Sequence, residues 1–400
     1  MSTLIKLQDV AVHMDLEPAE ETGSGRSLPS CHTASSPSPI ANPNALKEGL
    51  GITHAVLPNG QTTPLLKTML TSACERDCYY CPFRAGRNYK RTTFKPEEMA
   101  QTFMQMYRAG MVEGIFLSSG IIKGGVTTQD KLIETVDLLR YKHQFRGYIH
   151  LKVMPGAEKA QVERAMQLAD RLSVNLEAPN DKRLAALAPK KVFFEELLRP
   201  LQWMEEIRQT QPAQRAWNGR WASSTTQFVV GAVGETDLEL LATSAYLFQQ
   251  LSLSRAYFSA FRPLPDTPLE NHPAENPMRK HRLYQASYLF RDYAFDLEEM
   301  PFTQTGYLPL DTDPKLAWAQ IHLYENPVEL NRAERESLLR IPGIGPKGAA
   351  IILNARRRGT LRAVKDLQNI GVRTKQLKPF VLLDGKRPTY QLPLQLPTNE

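Results

Sequence analysis

Residues 65–91 read LLKTMLTSACERDCYYCPFRAGRNYKR, an apolar run followed at once by three cysteines, Cys74, Cys78 and Cys81. The run Leu65–Leu70 predicts a strand, and the cysteines fall on the loop leaving its C-terminal end. Three of the chain's four cysteines lie within eight residues, too clustered to staple a chain of 400 residues with disulfides. In a reducing compartment such clustering points to metal. A closed zinc site wants four ligands, and the loop offers no fourth Cys or His. Three thiolates instead suit a [4Fe–4S] cube, holding three irons and leaving the fourth without a protein ligand.

Outward from this loop the pattern alternates. Apolar runs at Leu65–Leu70, Gly114–Ser118, Tyr148–Val153, Leu172–Glu177, Gln227–Val230 and Ala256–Phe261 predict strands. Helical periodicity fills the intervals, at Pro96–Arg108, Gln129–Lys142, Glu158–Asp170, Phe194–Gln209 and Thr236–Leu251. Pro96 followed by Glu97 and Glu98 is favourable first-turn chemistry. Strand–helix alternation of this kind predicts an α/β fold with parallel strands, a partial (β/α)6 TIM-like barrel over residues 46–275. Sites on such barrels lie at the C-terminal ends of the strands, where the cysteine loop falls.

Before the barrel, residues 1–45 read as a flexible segment. TGSGRSLPSCHTASSPSPIANPN, at 22–44, is rich in Ser, Pro and Gly, and Cys31 sits within it. The N-terminus has acidic residues and no continuous apolar run, so it does not read as a secretory signal. No apolar stretch is long enough to span a bilayer. The expectation is a cytoplasmic chain with no membrane partner.

After the barrel, 276–328 reads as a helical connector, with an amphipathic helix over 278–295. The segment 329–385 changes character, and 386–400 is a tail. From Asn331 to Arg387 there are fourteen Lys/Arg against four Asp/Glu, which concentrates the net charge of +7 at this end. Such a patch fits a polyanion, or a face kept basic for solubility. Apolar residues flank Pro342-Gly343-Ile344-Gly345, predicting two short helices joined by a glycine turn that can aim N–H groups at an anion. Lys347 falls in the first turn of the second helix, where the dipole alone disfavours a cation. Arg356, Arg357, Arg358, Arg373, Lys375 and Lys378 follow. Residues 361–381 look like a degenerate second copy completing an all-α unit; a protein-contact hairpin is the alternative.

Cys-x3-Cys-x2-Cys with an aromatic, Tyr80, before the last cysteine resembles the signature of the radical S-adenosylmethionine superfamily. The resemblance covers roughly residues 60–265. It implies that S-adenosylmethionine chelates the fourth iron and is cleaved by one electron to a 5′-deoxyadenosyl radical that abstracts hydrogen from a substrate. A flavodoxin or ferredoxin would donate the electron. In the family a Gly-Gly-Glu-like turn follows the second strand; here Ser118-Ser119-Gly120 stands there without the carboxylate. Glu177 resembles a polar residue that contacts the cofactor, though a buried ion-pair role fits equally. Val229, Val230 and Gly231 resemble the apolar strand and turn beside the adenine, or form a core strand. Tyr80 would pack by the adenine through its backbone.

The C-terminal segment resembles the helix-hairpin-helix module. The resemblance implies a grip on the DNA backbone, without reading sequence, through Gly343, Ile344, Gly345, Lys347, Arg356 and Arg357. The pairing of barrel and hairpin resembles a bacterial family described as DNA modification or repair radical S-adenosylmethionine proteins. Its members are often encoded beside a uracil-DNA-glycosylase-like protein, which becomes a candidate partner. A duplex base would have to be flipped to reach a cluster inside a barrel. Arg84, Arg87, Lys90 and Arg91 either contact phosphate or are solvated. Tyr257, Phe258, Phe261 and Arg262 either stack on a base or pack the core. The same chemistry on tRNA or another RNA, and a non-catalytic iron–sulfur adaptor, remain the alternative functions.

Overall fold

A computed structural model describes residues 3–11, 14, 49–56 and 62–390. Cys31, most of the N-terminal segment and residues 391–400 lie outside the described residues, and the described part of that segment, Thr3–Ala11, is a packed helix with Leu7 and Val10 buried, contrary to the flexible segment expected there. The chain divides into two compact units, residues 1–235 with 246–275, and residues 236–245 with 276–400.

In the first unit, α1 (Thr3–Ala11) precedes β1 (Ile52–Val56), β2 (Thr62–Met69), α2 (Pro96–Arg108), β3 (Gly114–Ser118) and α3 (Gly124–Asp137). Next come β4 (Tyr148–Lys152), α4 (Lys159–Leu168), β5 (Arg171–Ser173), α5 (Asp181–Leu187), α6 (Arg199–Thr210) and β6 (Ser223–Val230). The helix α7 (Asp237–Gln250), whose residues up to Ala245 are counted with the second unit, then leads to β7 (Arg255–Ala260). The seven strands form one sheet in chain order, β1 antiparallel to β2 and the other five pairings parallel. Six sequential parallel strands with helical crossovers are the expected partial barrel. Every residue of β3 is buried, as a sheet screened on both faces requires.

β1 is an addition to the expected strands. The sequence signal for it is Pro58-Asn59-Gly60 between two short β-prone runs, a hairpin pattern. α5 also goes beyond the periodicity; the Asn180 side chain caps it by accepting from Arg183 N–H at 2.9 Å. α3 begins five residues earlier than the apolar pattern suggests and ends in a wider helical turn, Leu138–Lys142. Arg140, 3 % exposed, fixes that end by donating to the carbonyls of Leu168, Phe145 and Gly147 and pairing with Asp170 at 3.0 Å.

The second unit contains α8 (Pro277–Tyr293), α9 (Pro314–His322), β8 (Val328–Glu329), α10 (Arg335–Arg340), α11 (Pro346–Ala355), α12 (Val364–Asn369) and β9 (Val381–Leu382). Its core gathers Leu330, Leu338, Leu339, Ile341, Ile344, Ile352, Leu367 and Phe380. β8 and β9 pair in parallel, a small departure from an all-α expectation. α9 falls where the sequence suggested a connector, capped by Asp313, which accepts from Lys315 N–H and Leu316 N–H.

A candidate cluster and cofactor site

The cysteine loop has almost no secondary structure of its own, so its backbone polar groups must find partners elsewhere. The strands supply them on one side. Leu70 N–H donates to Ser118 C=O at 2.9 Å, and Gly120 N–H donates to Thr71 C=O at 2.7 Å. Glu75 N–H donates to Ile121 C=O at 2.8 Å, while the Glu75 carboxylate accepts from the N–H groups of Lys123 and Gly124. Ile121 N–H also donates to Cys74 Sγ at 3.4 Å. The cysteine loop and the Ser118–Gly124 turn are thus one stapled structure.

That contact accounts for Gly120. A Cβ there would lie 2.2 Å from Ala73 O and 3.2 Å from Cys74 Cβ. The residue is needed for close backbone approach. Ser118 and Ser119 are both buried, and Ser119 Oγ donates to the Gly120 carbonyl at 2.7 Å.

Arg91 organises the other side. Its guanidinium donates to the carbonyls of Ser72, Phe83, Arg84 and Arg87, closing the loop on itself. Lys90 pairs with Asp9 at 2.8 Å, Arg87 donates to the Pro82 and Pro265 carbonyls, and Arg84 lies over the Tyr79 ring. Of the two readings of these four cations, the structure supports neither in full: they hold the loop's own fold. Likewise Tyr257, Phe258 and Phe261 are core residues, 4 %, 1 % and 2 % exposed, with Phe258 stacked on Phe228.

Glu177 stands four residues past β5 with φ +66°, a left-handed conformation uncommon outside glycine. Two bonds to β6 hold it there: Glu177 N–H donates to Gln227 C=O and Val229 N–H to Glu177 C=O. Its Oε1 accepts from Lys191 Nζ at 2.9 Å, and Oε2 is buried with no hydrogen-bond partner. Burial opposes charge on this carboxylate, but Lys191 and Lys152 outweigh it and hold the pKa below the usual value. Burial, with Glu177 beside it, pushes the Tyr80 hydroxyl well above its ordinary range. The Tyr80 side chain therefore belongs to this polar cluster, beyond the backbone role expected of it. Val230 is fully buried, and Gly231 (φ +88°) faces Glu275, whose carboxylate a Cβ would strike at 2.2 Å.

Sequence reasoning missed Lys191. Its side chain is 8 % exposed and pairs with Glu177, and its charge opposes the burial that raises the Cys78 pKa. Burial opposes its charge, yet Cys78 and Glu177 together raise its pKa. Ala-Pro-Lys-Lys at 188–191 reads as an ordinary solvated loop, and only the fold reveals the placement. Lys67, His150 and Lys152 were missed for a similar reason: buried on β2 and β4, they look like interruptions of apolar strands. Burial, then Lys152 and Lys67, pushes His150 down to about 3.

The thiols test which metal group fits. All three are free, and burial raises the pKa of Cys78 and Cys81. Among the described residues no three Cys, His, Asp or Glu side chains converge closely enough for a single ion. Three thiolates on one loop with no fourth Cys or His in it are a donor set that fits a cluster with one open vertex.

Residues 68–243 match the model of the radical SAM superfamily. The chain carries a radical SAM domain. The domain is that of an enzyme, and its cofactors are a [4Fe–4S] cluster and S-adenosylmethionine, with Cys74, Cys78 and Cys81 fitting the cluster motif. No curated protein sequence matches the chain. Among solved structures, the chain is similar to the FeFe-hydrogenase maturase HydG from Carboxydothermus hydrogenoformans at 17% identity and TM-score 0.44, covering 57% of this chain and 51% of that one. Methylornithine synthase (PylB) aligns at 14% identity and TM-score 0.45 over 57% of this chain and 61% of its own. A radical SAM methyltransferase from Sphaerobacter thermophilus aligns at 16% and 0.42, over 59% and 69%. The chain spans about half to three-fifths of the length of the first two. Among the described residues no helix is long and apolar enough to cross a membrane.

In the second unit, α10 and α11 are joined by the turn Ile341–Gly345. Gly343 (φ +84°) is exposed, and its nearest neighbours are Arg373 O and Gln376. Ile344 is 1 % exposed and packs into the core. Lys315 Nζ donates to the Ile344 carbonyl at 2.6 Å. Lys347, Arg357, Arg358, Arg373 and Lys375 are exposed. Arg356 departs from the expectation: its guanidinium donates to the carbonyls of Leu330 and Ala333, which commits it to the fold.

Proposed function

We infer that the chain is a radical SAM enzyme acting on DNA, gripping the backbone through its second unit. The observation that carries this is the start of α11. Gly345 caps that helix without a side-chain hydrogen bond, no acidic residue occupies its first turn, and exposed Lys347 stands there instead. Helix-start N–H groups and the positive dipole end favour an anion. A cation added to that position favours one further, and phosphate is the anion that the glycine turn and the neighbouring arginines suit. With Arg357, Arg358, Arg373 and Lys375 also exposed, the arrangement supports a helix-hairpin-helix grip that follows backbone and not base sequence.

When bound, the cluster would supply one-electron reductive cleavage of S-adenosylmethionine. The chain's own residues do the rest. Cys74, Cys78 and Cys81 hold the cluster. The Ser118–Gly120 turn, Tyr80, Glu177 and Val230 border the cofactor's place, Glu177 offering its unpartnered Oε2 to a hydroxyl or ammonium donor. The hydrogen donor in this reading is a base or sugar presented out of the duplex.

The test is incubation of dithionite-reduced holoprotein with DNA carrying deuterated nucleotides. Deuterium in the 5′-deoxyadenosine product supports the reading. At matched salt, tighter retention by structured RNA than by duplex DNA would replace DNA with RNA as the substrate class.

A further inference from the structure

The segment after α5 is fastened to the cysteine loop at several points. Tyr79 N–H donates to Leu187 C=O at 2.9 Å, the Arg76 guanidinium donates to the Lys190 carbonyl, and Lys190 lies 3.8 Å from Asp77. Arg76 is itself held by Glu196 at 2.6 Å. These bonds leave the neighbouring Lys191 little freedom to turn away. Its ammonium sits 2.9 Å from Glu177 Oε1, both side chains nearly excluded from solvent, and its charge favours the thiolate form of Cys78 beside it.

We propose that Lys191 sets the reduction potential of the cluster by fixing a positive charge against its Cys78 ligand. One electron from an external low-potential donor adds one negative charge to the cluster. A cation buried beside the ligand loop stabilises that added charge, because the surroundings screen it poorly. Hydrogen bonds and charge beside the sulfurs are among the levers that tune such clusters. No bond is made or broken at Lys191 and no proton moves. Glu177 works in the opposite sense, so the pair together fixes a net field that neither residue alone would give. The inference rests on the cluster and is independent of the substrate, so its failure would leave the DNA reading standing.

The experiment is a potentiometric titration of the reconstituted full chain, followed by electron paramagnetic resonance without S-adenosylmethionine. Lys191→Met is expected to keep its iron and sulfide and to lose at least tenfold in the reduction equilibrium, about 59 mV more negative for one electron. Lys191→Arg, which keeps the charge, should restore most of the difference. A Lys191→Met cluster with the wild-type midpoint overturns the proposal, as does Lys191→Arg falling as far as Lys191→Met. Should Lys191→Met not retain its cluster, Glu177→Gln decides: the uncompensated ammonium should move the midpoint to higher potential, and an unmoved midpoint overturns the idea.

Discussion

The cysteine loop and the C-terminal hairpin are both rich in cations, and they use them in opposite ways. Around the cysteines, Arg91, Arg76 and Lys191 turn inward, to carbonyls and to carboxylates. Around the hairpin, Lys347, Arg357, Arg358, Arg373 and Lys375 face solvent. The difference follows from backbone hydrogen bonding. A ligand loop without helix or strand leaves its carbonyls unsatisfied, and an arginine carries five donors in a fixed fork. In the second unit Arg356 and Lys315 meet carbonyls in the same way, and the remaining hairpin cations are left for the surface. Charge counted along a sequence therefore says little about polyanion binding until the local backbone is known.

The comparison breaks most severely at a ligand. Cys78→Ala removes one of three thiolates at a buried position. Iron content and S-adenosylmethionine cleavage should both be lost, while the salt-dependent retention on DNA persists. A variant yielding as much 5′-deoxyadenosine as wild type would end the cluster assignment.

A second substitution tests the staple and leaves every ligand in place. Gly120→Ala puts a methyl group 2.2 Å from the Ala73 carbonyl oxygen, backbone that cannot swing aside. Overpacking of this kind costs about 1–3 kcal/mol or more. Denaturant unfolding should show that loss, and reconstituted iron should fall below wild type. Wild-type iron content in a destabilised Gly120→Ala would show that the turn supports the fold without positioning the loop.

In the second unit Lys315 also turns inward, and it titrates in an accessible range. Burial pushes Lys315 down to about 7, with Asp313 opposing and Arg340 assisting. Below pH 7 it is charged in both states, and the cost of burying that charge is fully present. Between pH 7 and 10.5 the folded state has released a proton that the unfolded chain keeps, so stability should rise with pH. The expected gain is a few kcal/mol, because each tenfold difference in proton affinity between the folded and unfolded chain is worth about 1.4 kcal/mol. Denaturation followed through Trp318, which packs on this core, should show the rise in wild type and lose it in Lys315→Met.

How much of this was legible in advance varies with range along the chain. The strand-to-loop transition at Leu70 and the cysteine spacing are local, and the sequence pattern located both. Gly120 was noted for its place in a turn, but its reason, an approach to Ala73, depends on a contact 47 residues away. Lys191 joins Cys78 from 113 positions further along, through a loop whose composition looks solvent-facing. β1 is short and antiparallel, and carries too few residues for periodicity to register. Polar residues buried inside the barrel, such as His150 with an unpartnered Nε2, break an apolar pattern for reasons that become visible only when six strands are brought together.

The finest test lies between two adjacent arginines. Arg356 spends its guanidinium on the Leu330 and Ala333 carbonyls, whereas Arg357 is exposed. Removing the first should cost stability, about 1.5–3 kcal/mol for hydrogen bonds made by a charged donor, and leave the salt slope of DNA binding unchanged. Removing the second should leave stability within about 0.5 kcal/mol. It should lower the slope of log affinity against log salt by about 0.9, one phosphate's worth. Lys347→Ala should act like Arg357→Ala, weakening different duplex sequences to the same extent, because a backbone contact carries no base information. If Arg356→Ala alone changed the slope, the inward and outward cations of this unit would have to exchange roles, and the contrast with the cysteine loop would fail where it is most sharply drawn.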